Sequence, residues 1–303
     1  MEIYKEIIAL DINSPVQELY DPLFTKKHVT VFIKRDDLIH PFISGNKWRK
    51  LKYTLIRARE MRKNHLVTFG GAYSNHLVAT ACAAARFGFN ATGFVRGEPV
   101  DNHSMMLCGI FGMELIFTDR ESYRNKNTLF DQYYTNDDDA YFIDEGGAGE
   151  KAVKGCMELI AELDKPFDHI FCAAGTGTTA AGLLKGLEQI GSPAYFHAIS
   201  SLKNGSFLKE EIGKYNINTQ NLILHCNYHF GGYAKSTPEL LNFIKMFASS
   251  TGILLDQVYT GKAAYALYDL IANDHFHPGD KLLLIHSGGL LGLLSQAEKF
   301  ISS

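Results

Sequence analysis

Lys47 stands at the start of a predicted helix, in a setting that could make its amine reactive. It lies in the segment GNKWRKL of residues 45–51. Because a helix N-terminus carries partial positive charge, cations in the first turn are mildly unfavourable. Burial or a cationic neighbour lowers the pKa of a lysine and makes it a nucleophile, and Arg49 and Lys50 could supply such a field. The segment therefore indicates either a solvated surface or a helix start that meets an anionic ligand or a reactive carbonyl.

A second candidate site is the loop in AAGTGTTAAG, residues 173–182. It follows an apolar predicted strand and begins a predicted helix, where backbone N–H groups can hold a phosphate. Gly175 and Gly177 allow close backbone approach, and hydroxyl groups come from Thr176, Thr178 and Thr179. The loop lacks the Gly-Lys-Ser/Thr of a Walker loop and a clean Gly-x-Gly-x-x-Gly. From the residues alone, a phosphate site and an ordinary glycine turn both remain open.

Two polar residues occupy another point where a predicted strand leads into a helix, in GGAYSNH of residues 70–76. Ser74 is a suitable N-cap, and capping alone would explain it. Asn75 is harder to explain as a cap, since a buried side-chain amide needs a hydrogen-bond partner. This segment therefore predicts either a capped helix or a second binding edge.

Predicted strands and helices alternate along the chain, which is typical of an α/β fold with a parallel sheet and right-handed crossovers. Strands are expected at 28–37, 65–71, 90–97, 113–119, 140–147, 194–200 and 281–289, with a strand, glycine turn and helix at 169–191. Further helices are expected at 46–63, 74–88, 102–112, 150–165 and 236–252. The motifs GGAYSNH, GTGTT and HSGG end three of these strands, and the carboxyl ends of parallel strands are where active sites lie.

Composition excludes several classes of function. The chain has 303 residues, a net charge of −3 and no basic block beyond residues 47–52, so neither nucleic acid nor a membrane surface is an expected partner. No apolar run is long enough to span a bilayer. The five cysteines are widely spaced and contain no Cys-x-x-Cys, which favours a reducing compartment over a disulfide framework. The N-terminal residues lack the pattern of a signal peptide, and we expect a soluble, cytoplasmic protein.

Other residues that could do chemistry have simpler explanations. His225 and His229 are spaced for one helical face with Cys226 between them. A metal site needs more ligands of defined geometry, so we expect no metal. Asp36 and Asp37 could be catalytic carboxylates, but we expect them to pair with Lys or Arg near a strand end.

In order and spacing, these motifs resemble the pyridoxal-phosphate enzymes of the tryptophan-synthase-β-like fold. The nearer branch holds 1-aminocyclopropane-1-carboxylate (ACC) deaminase and D-cysteine desulfhydrase. The resemblance runs from about residue 10 to the end, with little match between residues 203 and 232. It rests on KRDDL (34–38), GNKWRKL (45–51), GGAYSNH (70–76), DEGGAG (144–149), AAGTGTTAAGLL (173–184), VYTGKA (258–263) and HSGG (286–289).

The resemblance implies a pyridoxal 5'-phosphate cofactor and gives roles to the residues named above. Lys47 is implied to form the Schiff base with the cofactor aldehyde, and Lys50 to lie near the phosphate. The phosphate is implied to sit in the loop Gly175, Thr176, Gly177, Thr178 and Thr179. Asn75 is implied to bind the ring 3'-hydroxyl, and Ser74 to face the substrate carboxylate.

The resemblance also implies how the rest of the site is built. Tyr233 in GGYAK and Tyr259 in VYTG are implied to flank the substrate. Ser287 is implied to face the pyridine nitrogen, although capping the last helix would also explain it. Thr260 stands where ACC deaminases carry a glutamate that faces the same nitrogen.

The expected reaction is a β-elimination from a small amino acid. D-Cysteine would give pyruvate, sulfide and ammonia, and a broader D-amino acid lyase is also open. ACC deaminase, which gives 2-oxobutanoate and ammonia, is the alternative; the absence of the glutamate at Thr260 counts against it. An alternative of another class is a non-catalytic protein of the same fold that binds a phosphorylated ligand or a nucleotide.

The resemblance further implies two three-layer αβα domains with mainly parallel sheets. Residues 1–47 and 161–303 would form the large cofactor-binding domain, and residues 48–160 the small inserted domain. The cofactor would lie in the cleft between them, where domain closure excludes water. A homodimer is expected.

Overall fold

Ten strands form two separate sheets in the computed structural model, which describes residues 8–301. In spatial order the larger sheet contains β1 (Val16–Leu19), β2 (Thr30–Lys34), β10 (Lys281–Ile285), β7 (His169–Ala174), β8 (Tyr195–Ser200) and β9 (Leu222–His225). The edge strand β1 pairs antiparallel with β2, and all other neighbours are parallel. The carboxyl ends of β10, β7 and β8 therefore share one edge, which is where the candidate site lies.

The smaller sheet comes from the middle of the chain and is parallel throughout. Its order is β5 (Glu114–Thr118), β4 (Asn90–Arg96), β3 (His65–Gly71) and β6 (Ala140–Ile143). Strands and helices thus alternate along most of the chain, as the sequence predicts. The domain boundaries at 47/48 and 160/161 stay a prediction. Residues 1–7 and 302–303 of the predicted large domain lie outside the described residues.

Twelve α-helices connect and cover the sheets over residues 8–301. Their bounds are α1 (Pro22–Lys27), α2 (Asn46–Glu60), α3 (Asn75–Phe87), α4 (His103–Ile110), α5 (Lys126–Tyr134), α6 (Glu150–Ala161), α7 (Thr178–Gln189), α8 (Leu208–Gly213), α9 (Pro238–Thr251), α10 (Thr260–Ala272), α11 (Leu291–Leu294) and α12 (Ala297–Ile301). None of these helices has the length and apolarity that crossing a bilayer requires.

Each sheet lies between two helical layers, because alternate side chains of a strand point to opposite faces. In β10, Leu282 and Leu284 pack towards α9 and α10, whereas Leu283 and Ile285 pack towards α6 and α7. In β3, Leu66 joins the core with α2 and α3, whereas Phe69 faces the side of α5. The structure is therefore of the α/β class, with each sheet and its two helical layers forming a three-layer αβα arrangement.

Several helix boundaries follow the capping signals in the sequence. The Ser74 side chain accepts a hydrogen bond from the N–H of Leu77, and Gly88 ends α3 in the left-handed region. Thr237 caps α9, and Pro238 is its first residue. The predicted cap at Ser74 is confirmed.

Glycines bring α2, α6 and α7 into close contact. A Cβ atom on Gly155 of α6 would lie 1.8 Å from the carbonyl oxygen of Arg49 in α2. One on Gly182 of α7 would lie 2.3 Å from Cβ of Cys156 in α6. Because only glycine fits at both contacts, α2 and α7 are held against the same helix.

A chain of histidines crosses three strands of the larger sheet. His169 Nδ1 lies 3.0 Å from His197 Nε2, and His197 Nδ1 lies 2.9 Å from His225 Nε2. His169 Nε2 faces the Asp280 carboxylate at 3.4 Å, so it carries the proton and its Nδ1 accepts. The same logic makes Nε2 the protonated nitrogen of the other two rings, and all three rings are neutral. His225 thus donates a hydrogen bond to His197 within the sheet.

We expect this histidine chain to weaken the fold in acid. Burial, followed by the neighbouring imidazoles, lowers the pKa of His197 to about 2 and of His225 to about 4, below the ordinary 6.5. At a pH between the lowered pKa of each histidine and 6.5, the unfolded chain therefore binds more protons than the folded chain. The free energy of unfolding consequently falls as the pH drops below about 6.5. His197→Gln, which keeps a donor and an acceptor, is expected to make this fall shallower, measured by denaturation at a series of pH values. The exposed His277→Gln is the control, and equal slopes for both variants would contradict the assignment.

Candidate active site

The helix that carries Lys47 begins directly against the end of β10. Gly45 has φ +57°, and a Cβ atom there would lie 2.0 Å from the Ser287 carbonyl oxygen, so only glycine fits. That same oxygen accepts a hydrogen bond from the N–H of Asn46 at 3.1 Å. The sequence of glycine, asparagine and lysine thus fixes the first turn of α2 at the carboxyl edge of the larger sheet.

The Lys47 amine is unpaired and easily deprotonated. Lys47 Nζ has no hydrogen bond or ion pair to any group in residues 8–301. Burial, followed by the positive charge of Lys50, lowers its pKa to about 7 although part of the residue stays accessible. A large fraction of the amine is therefore neutral near neutral pH, as a nucleophile or base requires.

Arg49 does not contribute to this field, because its own charge is neutralised. Its guanidinium donates to Asp36 at 2.9 and 3.1 Å and to Glu162 at 2.7 Å, and Arg49 and Asp36 are each 1% exposed. Arg35 pairs with Asp37 at 2.7 Å. The prediction that both aspartates pair with Lys or Arg is confirmed. The pair of Arg49 and Asp36 ties α2 to the end of β2.

Lys50 lies one turn from Lys47 and points to the loop that follows β6. Its Nζ donates to the Gly146 carbonyl at 3.2 Å, and burial lowers its pKa. Behind it lies the buried imidazole of His76, whose Nε2 bonds to Thr68 Oγ1 at 2.8 Å and whose Nδ1 has no partner among the described residues. The predicted contact of Lys50 with a phosphate stays a prediction.

The loop Gly175–Thr179 presents unused backbone donors beside α2. The N–H groups of Thr178, Thr179 and Ala180 have no acceptor in the described part of the chain. Gly177 has φ +84°, which glycine adopts freely and which turns the chain into α7. Thr176 is exposed, whereas Thr178 and Thr179 are buried, and Asn46 Nδ2 donates to Thr179 Oγ1 at 3.1 Å.

The start of α3 reaches the same edge. Asn75 Nδ2 lies 3.5 Å from the carbonyl oxygen of Gly289, just after β10. Ser74 caps the helix and is half-buried. Asn75, which is half-buried, therefore has a hydrogen-bond partner, and it stands beside the glycine turn that follows Ser287.

The two motif tyrosines lie together at the mouth of the site. The ring centroids of Tyr233 and Tyr259 are 6.1 Å apart in an edge-to-face arrangement. Tyr259 also faces the glycine loop, since a Cβ on Gly175 would be 3.1 Å from its ring. Burial, followed by the Tyr233 phenol, raises the pKa of Tyr259 well above its ordinary value. Tyr259 is therefore a protonated phenol at neutral pH.

Thr260 and Ser287 differ in how their hydroxyl groups are used. Thr260 Oγ1 donates to Asp256 Oδ1 at 2.7 Å and accepts from the Asp256 N–H at 3.0 Å. The Asp256 carboxylate also accepts from the N–H groups of residues 258, 259 and 260, so it caps α10. The Ser287 hydroxyl has no partner in residues 8–301 and lines a narrow gap with Asn46 and Thr179. The cofactor-binding roles of Thr260 and Ser287 stay predictions.

Sequence reasoning missed three residues that organise this site. Asn46 links α2 to the loop Gly175–Thr179, Asp256 fixes the start of α10, and Lys262 is fully buried with its ammonium on three backbone carbonyls. A signal existed for two of them. Asp256 stands four residues before a threonine at a helix start, and Lys262 interrupts an otherwise apolar helix face.

The candidate residues thus converge from five elements. The ends of β7 and β10 and the starts of α2, α3 and α10 meet around Lys47 and the loop Gly175–Thr179. An amine of lowered pKa, unused N–H donors at a helix start and a protonated phenol can hold an anionic phosphate, react with a carbonyl and transfer protons.

Comparison with known proteins agrees with this chemistry. A family model described as pyridoxal-phosphate dependent enzyme matches residues 11–288. The chain is 31% identical to a bifunctional D-cysteine desulfhydrase/1-aminocyclopropane-1-carboxylate deaminase, mitochondrial, of Arabidopsis thaliana, over 90% of this chain and 75% of that protein. It is 27% identical to a D-cysteine desulfhydrase of Salmonella paratyphi A, over 88% of each chain.

A solved structure of an ACC deaminase homologue has the same fold. It matches with a TM-score of 0.86 and 30% identity, covering 97% of this chain and 94% of that chain. The expected α/β fold of the tryptophan-synthase-β-like type with mainly parallel sheets is confirmed. The chain belongs to the pyridoxal-phosphate-dependent enzyme family, and pyridoxal phosphate is its cofactor.

Proposed function

We propose that this enzyme catalyses β-elimination from a small β-substituted D-amino acid, with D-cysteine as the main substrate. The observation that carries the proposal is the unpaired Lys47 amine, of pKa about 7, at an edge shared with the protonated Tyr259. D-Cysteine and water would give pyruvate, sulfide and ammonia. The names of the Arabidopsis and Salmonella relatives support this substrate class.

The residues at the edge of the larger sheet fit the cofactor. Lys47 would hold its aldehyde, and the N–H groups at the start of α7 would hold its phosphate, with Lys50 supplying positive charge nearby. Asn75 would bind the ring 3'-hydroxyl. The free hydroxyl of Ser287 would meet the pyridine nitrogen.

The chain's own groups would then move the protons. When bound, pyridoxal phosphate withdraws electrons from the Cα atom of the amino acid. Lys47, neutral at working pH, would take the Cα proton. Tyr259 would donate its proton to the departing sulfur, and Tyr233 would lie on the opposite side of the substrate. Ser74 and the start of α3 would hold the substrate carboxylate.

The groups near the pyridine nitrogen favour elimination over ring opening. Ser287 and Thr260 are neutral, and neither would hold that nitrogen protonated as a carboxylate would. The Asp256 carboxylate is occupied by three N–H groups and the Thr260 hydroxyl. ACC deamination is the second candidate, supported by the name of the Arabidopsis relative and by the presence of both tyrosines.

A screen of four substrates tests this ranking. The purified holoenzyme is assayed with D-cysteine, L-cysteine, D-serine and ACC, following 2-oxo acid release. We expect the highest kcat/KM with D-cysteine. Faster turnover of ACC would reverse the ranking, and no turnover of any amino acid would favour a non-catalytic phosphate-binding role.

Cofactor uptake by the apo-protein is expected to accelerate as the pH rises through about 7. The pKa of Lys47 is lowered to about 7, and only the neutral amine reacts with an aldehyde. Below this pH the amine is protonated, so the rate should fall about tenfold per pH unit. Stopped-flow absorbance after mixing apo-protein with pyridoxal phosphate gives the rate. A midpoint near 10, as for an exposed lysine, would contradict the assignment.

We further propose a cytoplasmic homodimer with a small domain at residues 48–160 and a large domain at residues 1–47 and 161–303. The free cysteines support a reducing compartment. Met106 and Ile110, exposed by 57% and 69% on one face of α4, support an apolar interface. Light scattering is expected to give twice 33.8 kDa for the native chain and a monomer for Ile110→Glu. An unchanged mass for the variant would exclude this face as the interface.

A further inference from the structure

Tyr233 is carried by a loop whose backbone is under strain. Phe230, Gly231, Gly232 and Ala234 have φ values of +48°, +95°, +114° and +53°. Two of them are not glycine, and residues with a Cβ atom rarely adopt this left-handed conformation because of steric strain. A strained segment keeps its shape only if its surroundings hold it.

A buried lysine supplies that hold. Lys262 is 0% exposed, and its Nζ donates to the carbonyls of His229 and Gly232 at 2.8 Å each. The third donor faces the carbonyl of Ser201 at 3.4 Å. All three donors of the ammonium group therefore go to backbone oxygens, and no carboxylate pairs with it within residues 8–301.

These contacts link the loop to the tyrosine pair. The Gly232 carbonyl belongs to the peptide bond that leads into Tyr233. Lys262 lies three residues after Tyr259, in α10, and Tyr259 is the N-cap residue of this helix. One ammonium group therefore holds the Tyr233 loop against α10, while Tyr233 itself is 52% exposed.

The third contact reaches the cofactor side of the site. Ser201 follows β8, and its N–H donates to the Ala174 carbonyl at 3.0 Å, at the end of β7 and just before the loop Gly175–Thr179. Lys262 thus joins the Tyr233 loop to the rigid edge of the larger sheet.

We propose that Lys262 is a positioning residue, which sets the place of Tyr233 opposite Tyr259 by holding the backbone carbonyls of residues 229 and 232. The inference rests on the proposed function in one respect, namely that Tyr233 faces the substrate. It adds a residue that touches neither cofactor nor substrate and acts through the loop.

A double-variant cycle tests this role in the holoenzyme. Lys262→Met is expected to lower kcat/KM for D-cysteine at least about tenfold, since small displacements of a catalytic group have large effects. The visible absorbance of the bound cofactor should not change. In a Tyr233→Phe background, Lys262→Met should change kcat/KM less than about twofold, because residues that act as one unit are not additive. Multiplicative effects of the two substitutions would overturn the proposal.

Amide hydrogen exchange gives a second readout that does not need turnover. In Lys262→Met the amides of residues 229–235 should exchange at least about tenfold faster than in the native holoenzyme, with β7 and β10 unchanged. Unchanged exchange in the loop would overturn the proposal. If the native enzyme turns over no amino acid, the proposed function fails and this measurement still decides the role of Lys262.

Two further variants complete the design. Lys235→Met removes an exposed lysine from the same loop and should leave activity and exchange unchanged. Lys262→Gln keeps two donors and carries the test if Lys262→Met does not fold. It should show smaller changes of the same kind, and native behaviour of Lys262→Gln in both readouts would overturn the proposal.

Discussion

Replacement of Lys47 by alanine is expected to lower kcat by about 10³-fold or more and to abolish the visible absorbance of the bound cofactor. The side chain supplies the only amine of lowered pKa that is also unpaired at this edge of residues 8–301; Lys50 donates to Gly146, and Lys262 donates to three carbonyls. Steady-state assays and an absorbance spectrum of the purified variant check the expectation.

One further variant separates the Lys47 amine from its charge, and a second variant, at Lys52, is the control. Lys47→Arg keeps a positive charge but has no amine to react with an aldehyde, so it should be as inactive as Lys47→Ala. Lys52→Ala removes a lysine of the same helix that pairs with Glu158, and its activity should stay within about twofold of native. A coloured, active Lys47→Ala protein would refute the assignment of the site.

Replacement of Arg49 by methionine is expected to lower the melting temperature by about 6 °C or more. The substitution leaves the Asp36 carboxylate, 1% exposed, without its guanidinium partner. Breaking a buried ion pair from one side costs roughly 3–5 kcal/mol, and each kcal/mol corresponds to about 2 °C in a chain of this size. Calorimetry of the native and variant holoenzymes gives the shift.

Matched variants show whether the buried charge is the cause. Arg57→Met breaks an exposed pair with Glu60 on the same helix and should shift the melting temperature by about 1 °C at most. Adding Asp36→Leu to Arg49→Met removes the uncompensated charge and should recover most of the loss. Equal losses in the single and double variants would show that packing, not charge, makes Arg49 important.

The sequence predicts most of the elements that build this site, because their signals are local. The caps Ser74 and Thr237 and the terminating Gly88 set helix boundaries through contacts within a few residues. Strands such as β1 and β9 are short and lie at sheet edges, where few buried residues mark them, and they were not predicted. Local sequence signals therefore predict capped helices better than they predict short strands at the edge of a sheet.

The sequence names candidate residues for the site but not the contacts that they make. Nothing local to Arg49 indicates that Asp36 and Glu162 neutralise it, so that burial, followed by the charge of Lys50, lowers the pKa of Lys47. The three acceptors of Lys262 lie 30 to 61 residues away along the chain. Such long-range pairings depend on how the two sheets are assembled, and no spacing within a motif encodes them.

The glycine contacts between α2, α6 and α7 make some positions of the chain much less tolerant of substitution than others. Any side chain at Gly155 or Gly182 would force apart α2, which carries Lys47, and α7, which carries the unused N–H groups of residues 178–180. Laboratory evolution towards new substrates should therefore lose variants at these two positions first. Useful diversity should accumulate instead at the exposed positions of residues 203–221, where a new side chain meets no glycine contact between packed helices.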